Sequence, residues 1–170
     1  MMAEQALWTP QDLVAATNGR IDGNVTQVLT GITIDSRAAK AGEIFVAIKG
    51  ERHDGHDFVA AALKAGAGLA MVSRATEEMR AAGPLLVVAE DPLRGLENIG
   101  RAARARSHAQ VIGVTGSVGK TSTKEMLRAA LSASGETHAS AASFNNHWGV
   151  PLTLARMPLE AAFGVFEIGM

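Results

Sequence analysis

The stretch that decides the reading is Val111-Ile112-Gly113-Val114-Thr115-Gly116-Ser117-Val118-Gly119-Lys120-Thr121-Ser122. Val111, Ile112 and Val114 are β-branched and apolar, the composition of a buried central parallel strand. Gly116 and Gly119 let the backbone turn tightly and come close to a ligand. A helix then begins, so the amides from Ser117 to Ser122 converge at its N-terminus, where unpaired donors and the helix dipole both favour an anion. Lys120 adds a full positive charge for the outer phosphates, and Thr121 places a hydroxyl where a phosphate-bound Mg²⁺ sits. Strand, glycine turn and helix start together read as a phosphate-binding loop rather than a Gly-Lys turn by chance, its cradle formed by Gly116, Ser117, Val118, Gly119, Lys120, Thr121 and Ser122. The spacing is shorter than the usual G-x-x-x-x-G-K-[ST]. The place of that pattern's first glycine is taken by Val114, and Gly113 falls one residue early, in the strand. What stands here is T-G-x-x-G-K-T-S, which by itself leaves open what accepts the phosphoryl group.

Composition narrows the class. A chain of 170 residues with 47% hydrophobic content has ample material for one ordinary domain or two small ones. A formal net charge of −1 gives no basic field for nucleic acid or an anionic membrane. The absence of cysteine excludes disulfides, thiolate metal sites and cysteine catalysis. The N-terminus has no basic segment followed by an apolar run, and no apolar stretch is long enough to span a bilayer, so the expected location is the cytoplasm.

Working outward from the loop, strands alternate with helices, which points to an α/β layer. Upstream, Thr9-Pro10-Gln11-Asp12 is a helix start with a capping-box acid, and Trp8 and Leu13 are spaced as a hydrophobic staple. Residues 31–35, 43–48, 69–72 and 85–88 read as strands, and 58–65 as a helix closed by Gly66. Asp91-Pro92 opens a helix with Leu93, Leu96, Ile99 and Ala103 on one face. A domain boundary is expected near Ala89-Glu90, giving residues 1–88 and 89–170. Downstream of the loop, the helix is expected to turn Met126, Leu127, Ala130 and Leu131 inward. A small-residue segment, 139–143, and a polar cluster, Asn145-Asn146-His147-Trp148, follow. Residues 151–154 begin another helix, and Phe163-Gly164-Val165-Phe166-Glu167 is a buried strand with an acid at its C-terminal end. A sheet of this type normally has several more strands, so we expect the second domain to continue past residue 170.

Glu167 falls at the sheet edge where doubly wound folds bind ligands; it is either a ligand of a Mg²⁺ shared with Thr121 and the nucleotide phosphates or a solvated acid at a strand end. Asp35-Ser36-Arg37, at a strand end, is either an anion-binding fork or a capped turn with a surface arginine. Lys49-Gly50 and Asp54-Gly55-His56-Asp57 are a binding loop or a plain turn. His53-x-x-His56 lacks a third ligand for metal. His108 and His138 are expected on the surface. Asn145 and Asn146 either hydrogen-bond a substrate or fix a turn.

These pieces together resemble the Mur ligases, the ATP-dependent enzymes of peptidoglycan precursor synthesis, over almost the whole chain. The shortened T-G-x-x-G-K-T-S loop is that family's form. Thr33-Ile34-Asp35-Ser36-Arg37, Gly42-Glu43-Ile44-Phe45-Val46-Ala47-Ile48-Lys49-Gly50 and Asp54-Gly55-His56-Asp57-Phe58 look like its UDP-binding N-terminal domain. Residues 143–154 and the ending Glu167-Ile168-Gly169-Met170 look most like the branch that joins D-alanyl-D-alanine (D-Ala-D-Ala) to UDP-N-acetylmuramoyl-tripeptide (UDP-MurNAc-tripeptide). The resemblance implies a small N-terminal α/β UDP-substrate domain followed by the first part of a P-loop, mostly parallel-sheet ATPase domain. It implies ATP and Mg²⁺ as cofactors and an acyl phosphate on the peptide carboxylate, attacked by the amine of D-Ala-D-Ala. Lys120 then contacts the β- and γ-phosphates, and Thr121 and Glu167 hold Mg²⁺. Ser36, Arg37 and Lys49 face the UDP-sugar, with Asn145 and Asn146 nearer the tripeptide. The family's second-metal ligands, adenine-binding residues and C-terminal domain would lie beyond residue 170, so residues 1–170 alone are expected not to ligate. A bacterial, monomeric protein is implied, with no membrane insertion. The competing readings are the sister ligase that adds the third amino acid to the dipeptide precursor, a folylpolyglutamate synthase, and a non-catalytic P-loop module or kinase.

Overall fold

Thr9 caps the first helix, α1 (Pro10–Thr17), as a full capping box: its side chain accepts from the Asp12 amide, and the Asp12 side chain accepts from the Thr9 amide. A computed structural model of the chain describes residues 5–141 and 146–169. It divides into two compact units, Met1–Ile99 and Gly100–Met170.

In the first unit α1 is followed by β1 (Arg20–Asp22), β2 (Gly31–Thr33), β3 (Glu43–Val46), α2 (Val59–Lys64), β4 (Leu69–Val72), α3 (Glu77–Ala82) and β5 (Leu85–Val87). The strands form one sheet in the order β1-β5-β4-β3-β2, with β2 to β5 mutually parallel and β1 antiparallel on β5. Strand order steps in one direction, so right-handed crossovers put α2 and α3 on the same face. The core there packs Phe45, Ala70 and Val72 with Val59, Leu63 and Met79. β4 is buried at every position, as a middle strand covered on both faces must be. Gly95 lies on the other side, where an added Cβ would stand 2.8 Å from the Met71 sulfur. Gly95 belongs to α4 (Pro92–Arg106), the helix that the sequence places after Asp91-Pro92.

The second unit runs β6 (Gln110–Val114), α5 (Lys120–Leu131), β7 (Thr137–Ala139), α6 (Gly149–Ala155) and β8 (Phe163–Glu167). Its strands are parallel in the order β6-β8-β7. β8 lies in the middle and is buried along almost its whole length. Among the described residues β6 pairs with β8, and Val111 is 38% exposed. The α5 face is corrected. Met126 is 65% exposed and Ala130 is exposed, whereas Lys124 is fully buried. The inward row is Lys120, Lys124, Leu127 and Leu131, a helical i, i+4, i+7, i+11 series. His138 is half-buried rather than superficial, with Nε2 2.8 Å from the Thr153 carbonyl; burial holds its pKa below the ordinary value. Among the described residues, no helix is long and apolar enough to cross a membrane.

Candidate functional site

In the second unit the three parallel strands end at one edge, and each delivers one part of the candidate site. After β6 comes the glycine turn. Gly119 adopts a left-handed conformation (φ 78°) as the N-cap of α5, and among the described residues no side chain caps that helix. The amides of its first turn are thus left to another acceptor. A Cβ built on Gly119 meets nothing within 4 Å, and one on Gly116 meets only the Val118 carbonyl at 3.8 Å. Val118 projects outward, 88% exposed. Lys120 folds back over the turn, donating from Nζ to the Gly116 carbonyl at 2.6 Å.

At the end of β8 stands Glu167, 2% exposed. Parallel register pairs it with Val114, and the Ile168 amide donates to the Val114 carbonyl at 2.9 Å. This register brings the carboxylate to the root of the phosphate loop. Thr121 Oγ1 donates to Glu167 Oε2 at 3.1 Å across 46 residues of sequence. A hydroxyl and a buried carboxylate side by side are the hard oxygen donors that Mg²⁺ takes, next to the helix-start amides that take phosphate. The residues therefore fit both a nucleotide tail and its cation.

At the end of β7 the structure adds two residues that sequence reasoning missed. Ser140 Oγ accepts from the Glu167 amide at 3.1 Å, and the Ser140 carbonyl accepts from Lys124 Nζ at 2.8 Å. The one available signal was that Lys124 sits one turn beyond Lys120 on the same helical face.

In the first unit Ser36, Arg37 and Lys49 all follow strand ends. Ser36 and Arg37 form a 3-10 turn after β2, and Lys49 follows β3, so both segments lie at the carboxyl edge of neighbouring parallel strands. The Asp35-Ser36-Arg37 segment has the geometry of a capped turn. Asp35 accepts from the Arg37 amide at 3.0 Å and takes the guanidinium in a fork, at 2.9 and 2.8 Å. That fork, followed by the backbone bond, holds the Asp35 carboxyl below its ordinary range. The Arg37 side chain is 87% exposed.

Lys49 opens a tight turn closed by Gly50 N–H to the His53 carbonyl and Gly55 N–H to the Ile48 carbonyl, both 2.9 Å. Behind it, Asp54 accepts from the His56 amide at 2.9 Å and from Arg74 at 3.0 Å, and lies 2.7 Å from His56 Nδ1. The backbone bond from His56 is the largest of the effects that hold the Asp54 carboxyl well below the usual carboxylate range. The Ser73 amide donates to His56 Nε2 at 3.0 Å, which assigns the ring proton to Nδ1. His56 is thus bound to protein groups on both nitrogens, and among the described residues no cluster of three metal-ligating side chains exists. Asn146 Oδ1 accepts from the Trp148 and Gly149 amides at 3.1 and 2.9 Å, fixing the start of α6. Asn145 lies outside the described residues.

A phosphate loop on a parallel sheet, with an acid from the adjacent strand beside the loop threonine, defines the class of P-loop nucleotide-binding proteins. Profiles described as "Mur ligase family, catalytic domain" and "Mur ligase middle domain" match residues 28–110 and 114–170. The chain belongs to the Mur ligase family. It is 40% identical over 162 residues, 95% of this chain, to the UDP-N-acetylmuramoyl-tripeptide–D-alanyl-D-alanine ligase of Escherichia coli (strain K12). It is also similar to a solved Acinetobacter baumannii UDP-N-acetylmuramoylalanyl-D-glutamyl-2,6-diaminopimelate–D-alanyl-D-alanyl ligase, with a TM-score of 0.85, 37% identity and 100% of this chain covered. A MurF ligase of Thermotoga maritima, solved in complex with ADP, matches 82% of this chain with a TM-score of 0.62 and 30% identity. The chain spans 34%, 38% and 32% of these three proteins respectively, about a third of each.

Proposed function

We propose that the chain is part of an ATP-dependent ligase that adds D-Ala-D-Ala to UDP-MurNAc-tripeptide by way of an acyl phosphate. The observation that carries this reading is the hydrogen bond from Thr121 to Glu167 at the mouth of an open glycine turn. The names of the similar ligases support the choice of substrate.

The backbone of residues 116–122 holds the phosphates of ATP, and Thr121 with Glu167 holds Mg²⁺. Bound there, Mg-ATP supplies the phosphoryl group that activates a carboxylate, with its charge partly neutralised. Lys120 leaves the Gly116 carbonyl to meet the β- and γ-phosphates, placing a cation where negative charge grows. Ser36, Arg37 and Lys49, at the carboxyl edge of the first sheet, take the UDP-sugar. Arg37 does so only by exchanging Asp35 for the ligand's anionic groups, and Asn145 and Asn146 lie toward the peptide. Residues 1–88 are the proposed UDP-substrate domain and 89–170 part of the ATP domain, a division that falls before α4 and not within it at Ile99 and Gly100, where the two compact units separate.

Thermal unfolding with Mg-ATP, UDP-MurNAc-tripeptide and UDP-MurNAc-dipeptide tests the reading, because a ligand that binds only the folded chain raises the midpoint. Stabilisation by Mg-ATP and by the tripeptide more than the dipeptide is expected. Stabilisation by nucleotide with indifference to both muramoyl peptides would leave a plain nucleotide-binding module.

A further inference from the structure

Lys124 is fully buried, yet it is a lysine. An apolar side chain of the same length would fill the space without desolvating an ammonium. What the lysine adds is direction, and its direction is informative. Its Nζ donates to the Ser140 carbonyl at 2.8 Å and lies 3.2 Å from Glu125 Oε1. The Ser140 hydroxyl in turn accepts from the Glu167 amide at 3.1 Å. Glu167 accepts from Thr121, which stands one helical turn before Lys124 on α5. The four residues close a circuit, Thr121–Glu167–Ser140–Lys124 and back along the helix. It ties the ends of β7 and β8 to the first turns of α5.

The geometry points to Lys124 and Ser140 as positioning residues for the cation site: they set the height and angle at which Glu167 meets the Thr121 hydroxyl. The inference rests on the reading of Thr121 and Glu167 as the cation's ligands. Lys124 sits one helical turn beyond Lys120 on α5 and holds the Ser140 backbone. Ser140 holds the Glu167 backbone. Neither needs to touch nucleotide or metal to act. Partners that orient metal ligands typically change metal affinity by about 10–100-fold when removed.

The test is a Mg²⁺ titration of the unmodified 170-residue chain, K124M, S140A and L152A, each with a fluorescent ADP analogue, read by fluorescence polarisation. K124M keeps the buried stem and removes the donor. S140A removes the hydroxyl and serves if K124M does not fold. Leu152 is buried in α6 outside the circuit, so L152A reports what general destabilisation alone does. The half-saturating Mg²⁺ concentration is expected to rise about tenfold in K124M and severalfold in S140A. Nucleotide affinity without Mg²⁺ is expected to stay within twofold, and L152A to keep the unmodified Mg²⁺ response. An unchanged Mg²⁺ response in the folded K124M or S140A variants overturns the inference while leaving the cation site standing. So does an L152A response that shifts as far as theirs. Failure of the unmodified chain to bind nucleotide with any Mg²⁺ dependence overturns the nucleotide reading itself, and this inference with it.

Discussion

Replacing Gly119 with alanine separates the backbone of the phosphate loop from what the loop holds. Gly119 has φ 78°, and a Cβ placed there touches no atom of the described residues within 4 Å. The substitution therefore has no steric cost inside the chain, and its whole effect on folding is the left-handed conformation. For an alanine that costs about 1–2 kcal/mol. In a unit the size of Gly100–Met170 the midpoint of thermal unfolding falls by about 4–8 °C per kcal/mol, read by circular dichroism. Binding is affected separately. The methyl occupies the open space beside the α5 amides, where a phosphate oxygen must approach, so ADP affinity falls at least tenfold, about 1.4 kcal/mol. Fluorescent-nucleotide titration of the folded variant measures that loss at a temperature where both proteins are native. A lowered midpoint with ADP affinity within twofold of the unmodified chain would refute the phosphate-holding role of the turn. An unchanged midpoint would refute its left-handed geometry.

Further perturbations test the first unit. A Cβ on Gly55 would stand 2.6 Å from the Ala47 carbonyl carbon and the Ile48 oxygen, both backbone atoms. Gly55→Ala is therefore expected to destabilise the chain by about 1–3 kcal/mol in urea unfolding, and an unchanged urea midpoint contradicts the packing of the Lys49 turn. Asp54 gives a pH prediction. Its carboxyl in the folded chain titrates below the 3.8 of an unperturbed side chain, so its stabilisation is present above that value and is lost as the pH falls below it. Urea midpoints measured from pH 7 to pH 3 are expected to decline more steeply on the acid side for the unmodified chain than for Asp54→Asn; parallel curves contradict the assignment.

The sequence made legible those features that depend on local chemistry. Thr9 and Asp12 form the expected capping box because both partners lie within one turn. Gly119-Lys120-Thr121 stands where its spacing puts it, since a glycine turn into a helix is set by adjacent residues. Glu167 reaches the loop because a buried strand ending in an acid has its edge position fixed by parallel pairing. What escaped the sequence depends on distant partners. The burial of Lys124 is not announced by its neighbours in sequence, because the Ser140 carbonyl that accepts from it lies 16 residues away. Met126 reads as core, but with Lys120, Lys124, Leu127 and Leu131 on the inner row the helix turns it outward. β1, α3 and β7 are short, and β1 exists through pairing with β5, which no local pattern announces. Spacing alone leaves Arg37 open between ligand fork and capped turn, and the structure supplies Asp35 as its partner.

The central claim is that Thr121 and Glu167 jointly hold a divalent cation beside the phosphate loop. Electron paramagnetic resonance of Mn²⁺, standing in for Mg²⁺, counts the metal bound to the ADP-loaded chain directly. E167Q keeps the side-chain size and the hydrogen bond from Thr121 while removing the charge. The account predicts Mn²⁺ affinity at least tenfold lower in E167Q, with metal-free ADP binding within twofold of the unmodified chain. Equal Mn²⁺ affinity in the two proteins would contradict it.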